Sequence, residues 1–189
     1  MSRPDLRRPR RAAPLAAGGA TRRASRLPWL LTVALLILLA ARTWLLTPLA
    51  VEGESMTPTV EPGQHLLVWR LGASSRHWEH GDVALVERPG SEPLVKRVIG
   101  LAGDTIEIRD GELFRNGVAV PEEYADPDLI DSVYVAPVTV PAGEVYVLGD
   151  HRSFSLDSRT LGTVPTDRLS GEVVAVAWPP GDIRLGLGQ

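Results

Sequence analysis

Hydrophobic and polar positions divide the chain into two textures. Residues 27–41 read LPWLLTVALLILLAA, fifteen positions with neither a charge nor a polar stripe. A helix built from them is apolar all round, which suits lipid better than the surface of a globular domain. Fifteen residues fall short of the roughly 20 that cross a bilayer. Arg42 then interrupts and TWLLTPLA follows. Counted through Pro48, with Arg42 reaching toward the headgroups, the segment becomes long enough. Trp29 and Trp44 would then lie at the two interfaces, where such aromatics belong. The pattern predicts a single membrane anchor over 27–49. A cleaved leader is the alternative, but no clear A-x-A site follows the apolar run.

From Val51 onward helical periodicity is scarce. Short β-type runs alternate with Gly, Pro and Asp punctuation. They predict strands at 65–70, 82–87, 94–99, 105–109, 112–115, 133–135, 144–148 and 172–178. Asp110-Gly111 lies between TIEIR and ELFR, and Asn116-Gly117 lies before Val118; both are two-residue hairpin signals. The acidic, Pro-punctuated run 121–132 reads as a surface loop. The expectation is one mostly-β domain over 50–189, with antiparallel strands, behind a single N-terminal helix.

Charge sharpens the division. Residues 1–26 hold eight arginines and one acid, a net +7, which leaves −10 on the remainder of a chain whose total is −3. A basic arm directly before an apolar segment predicts a cytoplasmic tail over 1–26 and everything beyond the anchor outside. Placed there, the arm faces anionic lipid rather than nucleic acid. With no cysteine, disulfides, thiolate nucleophiles and Cys-based zinc sites are excluded. His77-Trp78-Glu79-His80 lacks a distant third ligand, so no metal is expected.

Lys96 is the only lysine, against nineteen arginines. Arginine stays charged in any protein setting, whereas a buried lysine can lose its proton. Lys96 interrupts the apolar run LVKRVIG, where strand alternation separates it from Val95 and Ile99. Set against apolar surface, such an amine becomes a general base. A solvated lysine on an edge strand is the structural alternative. A nucleophile to pair with it stands in Gly53-Glu54-Ser55-Met56-Thr57-Pro58-Thr59, because a serine hydroxyl needs a neighbouring base. His65 and His151 are also available as bases. A third polar cluster, 149–159 (GDHRSFSLDSR), offers Asp150, Arg152, Asp157 and Arg159 for loop-fixing ion pairs, and Ser155 or Ser158 to orient an amine.

Taken in order, these segments resemble the bacterial type I signal peptidases: an anchor, then S-M-x-P-T at 55–59, G-D-V at 81–83, K-R-V-I-G-x-x-G-D at 96–104, and G-D through S-x-D-S-R at 149–159. The match covers nearly all of 51–178. The resemblance implies a coiled antiparallel β-sheet peptidase domain over 50–189, of the type shared with self-cleaving repressor proteases. It implies Ser55 as nucleophile, Lys96 as general base and Ser155 as the hydroxyl that orients the lysine. It further implies Asp150 with Arg97 and Asp157 with Arg159 as supporting ion pairs. Gly149 is the position where a side chain would crowd the lysine, and Val51, Met56 and Val95 line shallow substrate pockets. Signal-bearing preproteins and the bilayer are the implied partners of a monomer that needs no cofactor and sits in the plasma membrane. Two departures stand out. His151 replaces the family's Asn, and Gly53 stands where some members carry a serine that binds the oxyanion, leaving the Ser55 backbone N–H. Rivals are a protease dedicated to one exported substrate and an inactive tethered β-domain that binds signal sequences. The C-terminal LGLG could touch lipid.

Overall fold

The computed structural model describes residues 26–130 and 133–188. The arginine-rich residues 1–25 and the side chain of Trp44 lie outside this range, so the reading of a basic tail does too. Helix α1 (Leu27–Leu45) has 19 residues, about 28 Å at the usual rise. Leu27, Trp29, Leu30, Leu31 and Leu35 through Leu39 are exposed along it. Among the described residues, no helix is long and apolar enough to cross a membrane. The expected anchor over 27–49 is also too long. The helix ends at Leu45, and Leu46–Ala50 is a strand, β1. A short run that is apolar throughout has no periodicity to separate helix from strand. Pro48 is tolerated because β1 lies at a sheet edge.

Beyond β1, the strands are β2 (His65–Trp69), β3 (Val83–Arg88), β4 (Ser91–Gly100), β5 (Thr105–Arg109), β6 (Glu112–Arg115), β7 (Val118–Ala119), β8 (Val135–Thr139), β9 (Glu144–Leu148), β10 (Val164–Pro165), β11 (Leu169–Trp178) and β12 (Arg184–Leu185); a second helix, α2, spans Ser158–Leu161. One sheet runs β1-β2-β11-β3-β4-β9-β10, with β12 on β11, and a smaller one runs β7-β6-β5-β8. All pairings are antiparallel. Both short hairpins form where the sequence signals them. Arg109 faces Glu112 across Asp110-Gly111, and Arg115 faces Val118 across Asn116-Gly117. All four turn residues take positive φ, the geometry that matches strand twist in a two-residue turn.

Strand alternation sorts the core. Val83 and Leu85 of β3 face a cluster with Met56, Val60, Leu66, Val68, Val173 and Val176. Ala84 and Val86 face the other side, with Val98, Val145, Val147 and Leu169. The opposite face of β9, Tyr146 and Leu148, packs on Ile106, Ile108 and Leu113 of the smaller sheet. β4 therefore lies inside the larger sheet, buried from Lys96 to Gly100. A solvated edge-strand lysine is ruled out, since Lys96 is buried. The strand predicted at 133–135 also shifts: β8 spans Val135–Thr139.

Candidate active site

Past β1 the chain folds into a tight turn. Thr57 N–H donates to the Glu54 carbonyl at 3.0 Å and Val60 N–H to the Met56 carbonyl at 2.8 Å. Met56 and Val60 are buried in the first core cluster, which roots the turn and leaves Ser55 at the rim of the core. Lys96 lies on β4 opposite Ala84 of β3 and is only 1% exposed. Its Nζ is 2.6 Å from Ser55 Oγ, and it donates to the Val95 carbonyl at 2.8 Å. Burial pushes the Lys96 pKa down to about 8; Asp157 and Asp150 pull the other way, and Arg88 adds to the depression. An amine in this range is neutral in a useful fraction of molecules near neutral pH. Ser55 Oγ bonds Lys96, while His151 meets Glu54 and Ser55 only at their backbone carbonyls.

Arg97, the next residue, is locked in place. Nε and Nη2 grip the Asp150 carboxylate at 2.9 and 2.7 Å. Nη1 donates to the carbonyls of Gly81 and Leu187, and Nη2 also to Thr59 Oγ1. Both members of the pair are buried, so the fork geometry and the extra acceptors offset a desolvation cost that a bare ion pair would not. Through Thr59 and Asp150, Arg97 ties β4 to the nucleophile turn and to the loop after β9.

That loop is built on Asp157. Its carboxylate caps α2 through the Arg159 N–H, pairs with Arg159 Nε at 2.9 Å, and accepts the Gly149 N–H at 3.1 Å. Burial alone would raise the Asp157 pKa, but the Arg159 bonds outweigh it and the carboxyl lies below its ordinary range. Gly149 comes close to the nucleophile. A Cβ there would collide with the Ser55 carbonyl oxygen and stand 2.6 Å from Ser155 Cβ. The Lys96 amine bonds Ser55 and its own strand's Val95 carbonyl, while the Ser155 hydroxyl adds to the depression of the Asp157 pKa.

A cavity of about 420 Å3 opens beside Ser55. Val51, Met56 and Val95 line it with Gly53, Leu49 and Leu94. One wall is the 91–95 half of β4. β3 pairs with this stretch on one side, whereas β9 pairs only with Arg97 to Gly100. The other edge of 91–95 carries no strand among the described residues.

Glu122, Tyr124 and Leu187 escaped sequence reading. Arg152 pairs with Glu122 and donates to the Gly149 carbonyl at 2.9 Å. Tyr124 donates to Glu122 at 2.7 Å and stacks under the Arg97 guanidinium at 4.0 Å. The acidic run 121–132 is thus not simply a surface loop, since Glu122 and Tyr124 reach Arg152 and Arg97. Leu187 is buried rather than lipid-facing, and Leu185 alone of the two is exposed. Both carry signals only in retrospect: two apolar or aromatic residues set in a polar, glycine-rich context. His80 pairs with Asp104 at 2.7 Å.

A serine hydroxyl thus lies against a buried lysine amine beside an apolar groove. The signal peptidase family, peptidase S26, matches residues 24–178. The chain is 35% identical over 164 residues to signal peptidase I of Bacillus licheniformis, covering 80% of this chain and 87% of that one. It is 30% identical over 176 residues to signal peptidase IB of Staphylococcus aureus, covering 84% and 92%. A crystal structure of a signal peptidase I from Enterococcus faecalis V583 aligns with a TM-score of 0.46 at 30% identity, over 52% of this chain and 97% of that one. The chain belongs to the signal peptidase family of serine peptidases.

Proposed function

We propose that this chain is a membrane-attached endopeptidase that removes signal peptides from exported preproteins with Ser55 as nucleophile and Lys96 as general base. The observation that carries the reading is the 2.6 Å contact between Ser55 Oγ and a lysine amine that is 1% exposed. Neutral Lys96 accepts the Ser55 proton as the hydroxyl oxygen attacks the scissile carbonyl. The tetrahedral oxyanion meets the Ser55 backbone N–H. Protonated Lys96 then gives its proton to the leaving amine, and an acyl-enzyme remains. Water, deprotonated by the same lysine, attacks the ester and releases the signal peptide. Ser155, beside Gly149 and Asp157, is the hydroxyl assigned to accept an amine N–H during this cycle.

The open edge of 91–95 suits a substrate that adds as a strand, with backbone bonds giving affinity and alternate side chains entering pockets. Beside Ser55, the groove walls Val51, Met56 and Val95 favour small apolar side chains, in keeping with A-x-A cleavage sites. Asp150, Arg97, Asp157, Arg159 and Gly149 hold the dyad in place. The exposed apolar face of α1 and the arginines before it support attachment to the plasma membrane, with residues 1–26 in the cytoplasm and the β-domain on the outer face.

The test is direct. Purified full-length protein in detergent is incubated with a labelled signal-bearing precursor, and the cut is mapped by mass spectrometry. The expected product is a single cut after a small residue, absent in Ser55→Ala and in Lys96→Arg, which keeps the charge but cannot deprotonate. A precursor bound but left uncut by the wild type would point to a signal-binding domain instead. Membrane attachment is read separately, by sedimentation of the protein with vesicles and its resistance to alkaline extraction.

A further inference from the structure

The oxyanion in this site has one evident donor, the Ser55 N–H, which donates to no atom among the described residues. Position 53 is a glycine, with open space around where a Cβ would stand, so it supplies no second side-chain donor. The other end of the same peptide unit is held unusually firmly. The Glu54 carbonyl accepts from Thr57 N–H at 3.0 Å and lies 3.3 Å from His151 Nδ1. The backbone N–H of His151 also donates to the Ser55 carbonyl at 3.2 Å. His151 therefore touches both carbonyls that flank the nucleophile. Its ring packs against Phe154, with centroids 6.0 Å apart.

A peptide unit is planar, with its C=O and N–H pointing in opposite directions. A donor that fixes the Glu54 oxygen thus fixes the direction of the Ser55 N–H. It also draws electron density from the amide, which strengthens the N–H as a donor. We infer that His151 is a positioning residue whose Nδ1–H holds the Glu54–Ser55 peptide and so aims the Ser55 N–H at the oxyanion. The inference rests on the reading of Ser55 as nucleophile. It makes the two departures from the family pattern complementary: glycine at 53 removes a direct donor, and histidine at 151 reinforces the remaining one from behind. The bond requires a proton on Nδ1, which both the imidazolium and one neutral tautomer supply.

The test uses full-length protein and three variants. His151→Phe keeps a ring beside Phe154 but has no donor, His151→Ala removes the side chain without adding bulk, and His151→Asn restores an N–H donor. Steady-state cleavage of a precursor peptide gives kcat and KM, and thermal melts report folding. A peptide aldehyde, captured by Ser55 as a tetrahedral adduct, is compared with the matching peptide alcohol, which forms none. The expected result for Phe and Ala is a kcat about tenfold lower, with KM changed by less than about twofold. Aldehyde binding weakens in parallel, alcohol binding is unchanged, and Asn recovers most of the loss. Wild-type kcat in both Phe and Ala overturns the inference while leaving the Ser55/Lys96 reading intact. So does equal weakening of aldehyde and alcohol, which indicates a deformed groove, or failure of Asn to recover kcat. A wild type that cleaves no precursor overturns the underlying reading and this one with it.

Discussion

Lys96 and Arg97 are consecutive on β4 and both are buried, yet only Arg97 hydrogen-bonds a carboxylate, that of Asp150; Lys96 bonds a hydroxyl and a carbonyl. The same burial therefore has two outcomes. Arg97 remains a paired cation, while Lys96 is left to shed its proton.

Cleavage should follow the titration of that amine. With a pKa of about 8, kcat/KM rises about tenfold per pH unit on the acid side and levels off above the pKa. A pH–rate profile with a short peptide substrate checks this. An inflection between about 6 and 7 would instead implicate a histidine as the base.

The depressed pKa also costs stability. An unfolded chain binds the Lys96 proton up to about 10.5, while the folded chain releases it above about 8. Between these values the unfolded state holds more protons, so stability gained from this group rises with pH across that window. Below about 8 the buried charge is a constant penalty. Lys96→Met should therefore be inactive and yet melt at a higher temperature than wild type at pH 7. The gap should narrow as pH climbs through the window. Melts of both proteins at pH 7, 9 and 10.5 decide it.

Asp150→Ala should be among the most destabilising single changes in the domain. It strands the Arg97 charge in the interior, for which about 3–5 kcal/mol is expected. Removing the pair's other partner as well, in Arg97→Met with Asp150→Leu, should recover part of that loss in melting temperature without restoring full activity, because the tie to Thr59 is gone. Urea titration of the single and double variants measures both effects.

Gly149→Ala separates activity from folding. The added methyl collides with the Ser55 carbonyl and the Ser155 side chain, displacing the nucleophile. A loss of about 10²-fold in kcat is expected, alongside a stability cost of about 1–3 kcal/mol from overpacking. Unchanged kcat would mean the loop yields instead.

What the sequence made legible follows from how locally each feature is encoded. The hairpins at Asp110-Gly111 and Asn116-Gly117 were readable because positive φ at two successive residues needs particular side chains. Lys96 stood out because it breaks an apolar run in a chain otherwise furnished with arginine. Ser55 was readable only from the order of the motifs, since a Ser/Thr/Pro turn alone is commonplace. The carbonyls of Gly81, Leu187 and Val95 were not readable as partners of Arg97 and Lys96, because every residue has one. Glu122 and Tyr124 were hidden by their acidic surroundings, which resemble a solvated loop until Arg97 and Arg152 are placed opposite. β1 was hidden because a short apolar run looks the same whether it joins a helix or a sheet.

The position of the single lysine turns the molecule into its own unfolding reporter. A protease that cuts only after lysine has one target in the whole chain, the Lys96–Arg97 bond, and both residues are buried in the middle of an eight-stranded sheet. Fraying ends and moving loops offer such a protease nothing. Cutting must wait until the sheet itself opens, so the digestion rate of the intact protein, read on a gel as two fragments, tracks the rarest and most global opening of the domain.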